Sequence, residues 1–157
     1  MKKCITLLCA MCMFAMTGCS GIETPVTELM AGYIVIEGDI LYVDRVEIVT
    51  ERDSERIEEL GLELGDMPSG YFIYNKDEEK DVYELTNETL YMFVDVNLLF
   101  YKGKNEEKIY STTEKEKFIE HLRVSYFDFP PAQNVPFFII VEDGKVVSVT
   151  EEFRFTI

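Results

Sequence analysis

The chain has 157 residues, with 30 acidic against 15 basic side chains and a formal charge of −15 at pH 7. Nucleic acid is excluded as a partner, because binding to phosphate depends on Lys and Arg displacing counterions. His121 is the single histidine, so any nucleophilic catalysis with a histidine base has one residue available to it.

Lys2 and Lys3 precede an uncharged apolar run over residues 4–16, closed by Met16-Thr17-Gly18-Cys19. The run is too short to span a membrane, which takes about 20 apolar residues. A basic leader, an apolar run and small residues at a boundary make an export signal. Met16-Thr17-Gly18-Cys19 resembles the bacterial lipobox. The resemblance covers residues 1–20 and implies removal of residues 1–18 and acylation of Cys19. It implies a lipid anchor on the extracytoplasmic face of the cell membrane, or in the outer membrane where the host has two. Cleavage takes away Cys4 and the Cys9-Ala-Met-Cys12 pair, whose spacing otherwise suggests a redox or zinc motif. Cys19 is then the only cysteine, no zinc ligand set remains, and the exported part must hold together by packing. Loss of Lys2 and Lys3 moves the charge from −15 to −17. Residues 19–30 read as the lipidated cysteine and a flexible tether, with a random-coil reach of about 17–20 Å. An anionic lipid face repels so acidic a domain within a Debye length of about 8–10 Å, so it should stand off from the membrane.

Residues 31–157 have the size of one domain. Residues 33–37 and 40–49 are rich in β-branched and aromatic residues around Gly38-Asp39, which predicts a hairpin. Period-two counting puts Ile40, Tyr42, Val46 and Ile48 on the buried face and Arg45 and Glu47 opposite. Asp44 interrupts that face, which suggests a bulge or a strand end. Asp53 can cap a short helix through Leu60, ended by Gly61. Further strands follow over 71–74, 81–85 and 90–96. Thr113-Glu114-Lys115-Glu116 matches a capping box ahead of a helix with Phe118, Ile119 and Leu122 as its apolar stripe. Asp143-Gly144 predicts a type I′ turn between residues 137–142 and 145–157. A two-residue loop pairs Glu142 with Lys145, Ile140 with Val147 and Phe138 with Val149. Phe137, Ile139 and Val141 give the first of these strands a second apolar face, which the helix at 113–124 is expected to cover. About seven strands and two helices predict a mainly antiparallel α+β domain forming a small, partly closed barrel. The element order loosely resembles oligonucleotide/oligosaccharide-binding (OB) barrels.

No chemistry is written plainly in this domain. His121 lies between Phe118/Ile119 and Leu122 on the expected helix, with no nucleophile motif beside it in sequence. Met67-Pro68-Ser69-Gly70 lacks the first glycine of a nucleophile elbow, and the acidic run at residues 77–81 lacks the spacing of a calcium loop. No cofactor or metal is expected. Aromatics give the one positive sign of binding, since tyrosine is amphipathic and enriched at interfaces. Tyr126, Phe127 and Phe129, bounded by Pro130-Pro131, form the candidate contact surface. The reading is a lipid-anchored, extracytoplasmic, noncatalytic binding domain for a basic protein or an envelope component. A carbohydrate-binding module is the alternative, ahead of an envelope hydrolase.

Overall fold

The computed structural model describes residues 26–77, 79–95, 97–100, 108–125 and 135–151. Its seven strands are β1 (Thr27–Glu37), β2 (Ile40–Thr50), β3 (Tyr71–Tyr74), β4 (Lys80–Val94), β5 (Ile109–Thr112), β6 (Phe137–Glu142) and β7 (Lys145–Glu151). Helix α1 (Ser54–Leu60) joins β2 to β3, and α2 (Lys115–Ser125) joins β5 to β6. The sheet runs β3-β2-β1-β6-β7-β4-β5, and an added β2–β4 pairing closes β1, β2, β4, β7 and β6 into a ring. Every pairing is antiparallel except β4 with β7. The result is an α+β fold around a small, partly closed barrel.

Ring closure depends on β1 serving two partners. Its first half pairs with β6 and its second with β2, and Ala31 and Gly32 belong to both ladders. The strand must coil sharply there, and the backbone of Asp44 comes close. A Cβ on Gly32 would lie 2.5 Å from Val43 Cγ1 and 2.7 Å from the Asp44 carbonyl oxygen, so only glycine fits. Strand β1 also begins at Thr27, so residues 27–30, expected in the tether, are paired with β6.

The barrel is filled by Ile34, Leu41, Val43, Tyr91, Phe93, Phe137, Ile139, Val141 and Val149, all at most 1% exposed. α2 covers one end. Phe118 stacks on Tyr91 with centroids 4.7 Å apart and meets Phe137 edge-on at 5.9 Å, but the Phe137, Ile139 and Val141 face of β6, expected under the helix, mostly lines the barrel interior instead. Helix α2 starts one residue later than a Thr113 cap implies, because the Glu114 carbonyl accepts the first helical bond from the Phe118 N–H.

Several local expectations are corrected. The buried face of β2 carries Leu41, Val43 and Val49, while Ile40, Tyr42, Val46 and Ile48 lie half-buried on the outside. Both faces of β2 are apolar, so alternation alone could not set the phase. Asp44 neither ends nor bulges the strand; it pairs with Tyr33 and Lys80 across the ladders, and Asn75 Nδ2 donates to its carboxylate at 3.1 Å. Residues 81–85 and 90–96 are not two strands. One strand, β4, passes through an irregularity at Thr86–Thr89, where the buried Thr89 hydroxyl donates to the Val146 carbonyl at 2.8 Å. The seventh strand is instead β5. In the last hairpin Glu142 does face Lys145, but the register then shifts, so Ile140 meets Ser148 and Phe138 meets Thr150. Val147 is left outside at the bulge.

Helix α1 ends as expected, with Gly61 in the left-handed region at φ 64°. Asp53 at its N-cap makes no side-chain cap bond; its carboxylate accepts both the N–H and the hydroxyl of Thr50, each at 2.8 Å. Those donors hold the Asp53 carboxyl below its usual range.

Candidate functional site

Cys19, Tyr126, Phe127 and Phe129 all lie outside the described residues. Within them, the fold assembles polar side chains in three places: the α2 end of the barrel, its opposite mouth, and the outer face of β1, β2, β3 and β4.

At the α2 end, His121 and Glu151 are both 2% exposed. Ser125 Oγ lies 3.1 Å from His121 Nδ1, and His121 Nε2 lies 3.3 Å from Glu151 Oε2. Hydroxyl, imidazole and carboxylate in that order are the parts of a nucleophilic triad. The setting points to structure instead. The imidazole lies flat on the Phe93 ring, centroids 4.1 Å apart at 17°, inside the aromatic group that includes Phe118. Ser125 is the last residue of α2, at the helix end whose carbonyls carry partial negative charge. That polarity opposes an oxyanion, which needs donors. Glu151 Oε2 also accepts the Val94 N–H at 2.8 Å, so one carboxylate ties the end of β7 to the end of β4 and to α2. Asp95, 1% exposed, organises the next turn, accepting the N–H of Leu99 at 2.9 Å and of Phe100 at 2.8 Å. Phe100 is thereby set edge-on against Phe93 at 5.7 Å.

Glu151 is the residue that sequence reasoning missed. It shares the parity of Val149 and Phe153, so strict alternation already put a carboxylate on the buried side. That was a signal for a paired acid, since an unpaired one could not be buried there.

At the opposite mouth, Arg45 hydrogen-bonds to Glu28, Asp81 and the Tyr83 hydroxyl, drawing β1, β2 and β4 together over the core. Desolvation opposes the Arg45 charge, but the bonds to Asp81 and Glu28 outweigh it and raise its pKa. Burial raises the Tyr83 phenol, against the opposing pull of Arg45. Further along β2, Arg56 of α1 binds Glu47 at 2.8–3.0 Å and covers the Tyr74 ring at 5.1 Å.

The outer face reads directly from the register. Val35, Tyr42 and Val82 form one cross-strand row, and Tyr33, Asp44 and Lys80 the next. Ile48 with Ile73 and Thr50 with Tyr71 continue it onto β3. Burial, then Asp44, then Tyr71 raise the Tyr33 phenol, so these three groups share one environment. Tyr33, Tyr42 and Tyr71 are half-buried there, and Val82 is exposed. Alternation had assigned the Tyr42 side of β2 to the core.

No protein-family model, curated protein or solved structure matches the chain. Among the described residues, no group of three or more His, Cys, Asp or Glu side chains is placed to hold a metal ion. Among the same residues, no helix is long and apolar enough to cross a membrane.

Proposed function

We propose that the protein is a lipid-anchored, extracytoplasmic binding domain that takes a basic protein surface on the outside of β1, β2, β3 and β4. The observation that carries this is the row structure, in which Tyr33 and Tyr42 flank Asp44 on an apolar platform. A lysine or arginine from a partner can sit over a tyrosine face, worth about 0.5–2 kcal/mol, while Asp44 supplies the opposite charge. The overall −15 would speed the encounter. OB-like barrels commonly bind ligands on the corresponding strands, although fold likeness assigns no function by itself. Cys19 is the anchor on this reading. Tyr126, Phe127 and Phe129 form a second candidate contact surface, for an envelope component.

The test is association with a basic protein such as lysozyme, measured from low to high salt. Binding should weaken about tenfold or more in Tyr42→Ala with Asp44→Asn, and its association rate should fall as salt rises. A salt-independent rate would count against the proposal. Carbohydrate is the second reading, favoured by the same half-buried tyrosines. Glycan binding that is lost in Tyr42→Ala but unchanged in Asp44→Asn would select it. For the anchor, palmitate incorporation should vanish in Cys19→Ala, and equal labelling would refute acylation there.

A further inference from the structure

Two adjoining rows on the rest of the barrel wall differ from this platform in one respect: they carry no charge. On the outside of β1, β6, β7 and β4, Leu29, Ile140, Ser148 and Leu90 form one cross-strand row. Ala31, Phe138, Thr150, Met92 and Ser111 form the next, reaching β5. Val94 and Ile109 extend it. No ionisable side chain stands in either row, although charged residues make up 29% of the chain. Ionisable residues reappear in the row beside Leu29, where Glu142 pairs with Lys145 and Lys145 with Glu84. Leu29 is 71% exposed, while Phe138, Ile140 and Met92 are half-buried and lie low on the sheet.

We infer that this face is where a second copy of the chain docks. Two copies carrying −15 each repel one another across most of their surfaces. The uncharged wall is the place where they can meet without opposing carboxylates. A basic partner finds no acid in these rows to attract it. A lipid surface favours protruding apolar side chains flanked by cations, whereas low side chains interspersed with the Ser111 and Thr150 hydroxyls suit face-to-face packing of two sheets about 10 Å apart. Strand β5 adds a route for continuation, because among the described residues it pairs with β4 alone and its other edge is open. A two-fold axis would make the contact self-complementary. Five strands at about 4.8 Å spacing give a patch roughly 20 Å wide, and rows about 7 Å apart make it roughly 15–20 Å long, so its area of about 300–400 Å² is well short of the roughly 800 Å² per partner of a standard interface. The association should therefore be weak and strengthened by confinement to a surface.

Cysteine scanning of the full-length chain, in whichever cell fraction holds it, tests this. Leu29→Cys, Leu90→Cys, Val147→Cys and Ser111→Cys are each oxidised and compared with Val82→Cys on the opposite wall and with the parent chain. At least one position on the uncharged wall should give a disulfide-linked homodimer several-fold above both controls. The yield should rise with salt, as the repulsion between copies is screened, and at Leu90→Cys, Val147→Cys or Ser111→Cys should disappear when Leu29→Glu is added. Equal crosslinking at Val82→Cys, no dimer at any position, or a yield that falls with salt would overturn the proposal. So would protection of these thiols from a water-soluble maleimide without any dimer, which would assign the wall to lipid or another protein.

Discussion

Removing the Glu151 carboxylate should loosen the fold more than any other single change at the α2 end of the barrel. In Glu151→Ala the Val94 N–H loses its acceptor at 2.8 Å, and His121 Nε2 loses the carboxylate at 3.3 Å. A buried donor left unpaired costs about 1–3 kcal/mol. Val94 and His121 both lose the same carboxylate and the two losses do not add in full, so the expected total is about 2–4 kcal/mol. Glu151→Gln keeps an acceptor oxygen for Val94 and should cost only about 1–2 kcal/mol. With no tryptophan in the chain, urea unfolding is best followed by far-UV circular dichroism. A domain of this size loses about 3–6 °C of Tm per kcal/mol, so Glu151→Ala should melt at least about 6 °C lower. Adding His121→Ala to Glu151→Ala should cost less than His121→Ala does alone, by at least about 1 kcal/mol of coupling. A Glu151→Ala protein within about 0.5 kcal/mol of the parent, or equal losses in the Gln and Ala variants, would show that the carboxylate does not clasp these elements together.

Two further changes probe the barrel itself. Gly32→Ala puts a methyl group 2.5 Å from Val43 Cγ1 and 2.7 Å from the Asp44 carbonyl oxygen. Overpacking costs about 1–3 kcal/mol where side chains can yield, and here one neighbour is backbone, so a loss at the top of that range is expected in urea unfolding. Val43→Ala should recover little of it, because the carbonyl clash remains, and full recovery would contradict the close approach of β1 and β2. The Tyr91 hydroxyl is buried with no hydrogen-bond partner among the described residues, so Tyr91→Phe should stabilise the protein by about 1 kcal/mol at pH 7. Burial, then the nearby charges of Glu116 and Asp39, push the Tyr91 phenol up to about 12. The unfolded chain therefore gives up this proton first, from about pH 10, and the parent loses up to about 2–3 kcal/mol between pH 10 and 12 that Tyr91→Phe keeps. A Phe variant no more stable than the parent at pH 7 would mean that the hydroxyl is satisfied.

The fold was legible where a local rule met no competing one. Gly38-Asp39, Gly61 and Asp143-Gly144 stand at the turns and the helix end where their backbone freedom predicts them. The Phe118 stripe packs α2 onto the barrel. Errors arose where both faces of a strand are apolar, because inside and outside are set by ring closure rather than by alternation. On β2, Leu41 and Val43 compete with Ile40 and Tyr42, and the contest is decided by the β2–β4 pairing across 36–44 positions of chain. The irregularities at Thr86–Thr89 and Val147 are likewise consequences of the parallel β4–β7 ladder, which no local pattern announces. Strand β5 was missed because Ile109–Thr112 is short and, among the described residues, pairs with β4 alone. The platform around Tyr33 and Tyr42 escaped for the same reason as the phase of β2, since its residues had been assigned to the core.

Charge divides the barrel wall into two faces whose responses to salt must differ in sign. Around Asp44, attraction of a basic partner is electrostatic, so added salt screens it and lowers the association rate. Across Leu29, Ile140, Ser148 and Leu90 no charge contributes to the contact, while the acid surplus elsewhere pushes two copies apart, so the same salt removes an obstacle and leaves the apolar contact intact. One salt series on one preparation therefore separates the two surfaces. Substitutions sharpen the comparison, because Asp44→Asn should weaken binding of the basic partner across the salt series and leave the rising branch unchanged, and Leu29→Glu should abolish the rising branch and leave the falling one. If both responses moved together in either variant, the two faces would be one surface, and the division of the barrel by charge would be irrelevant to what it binds.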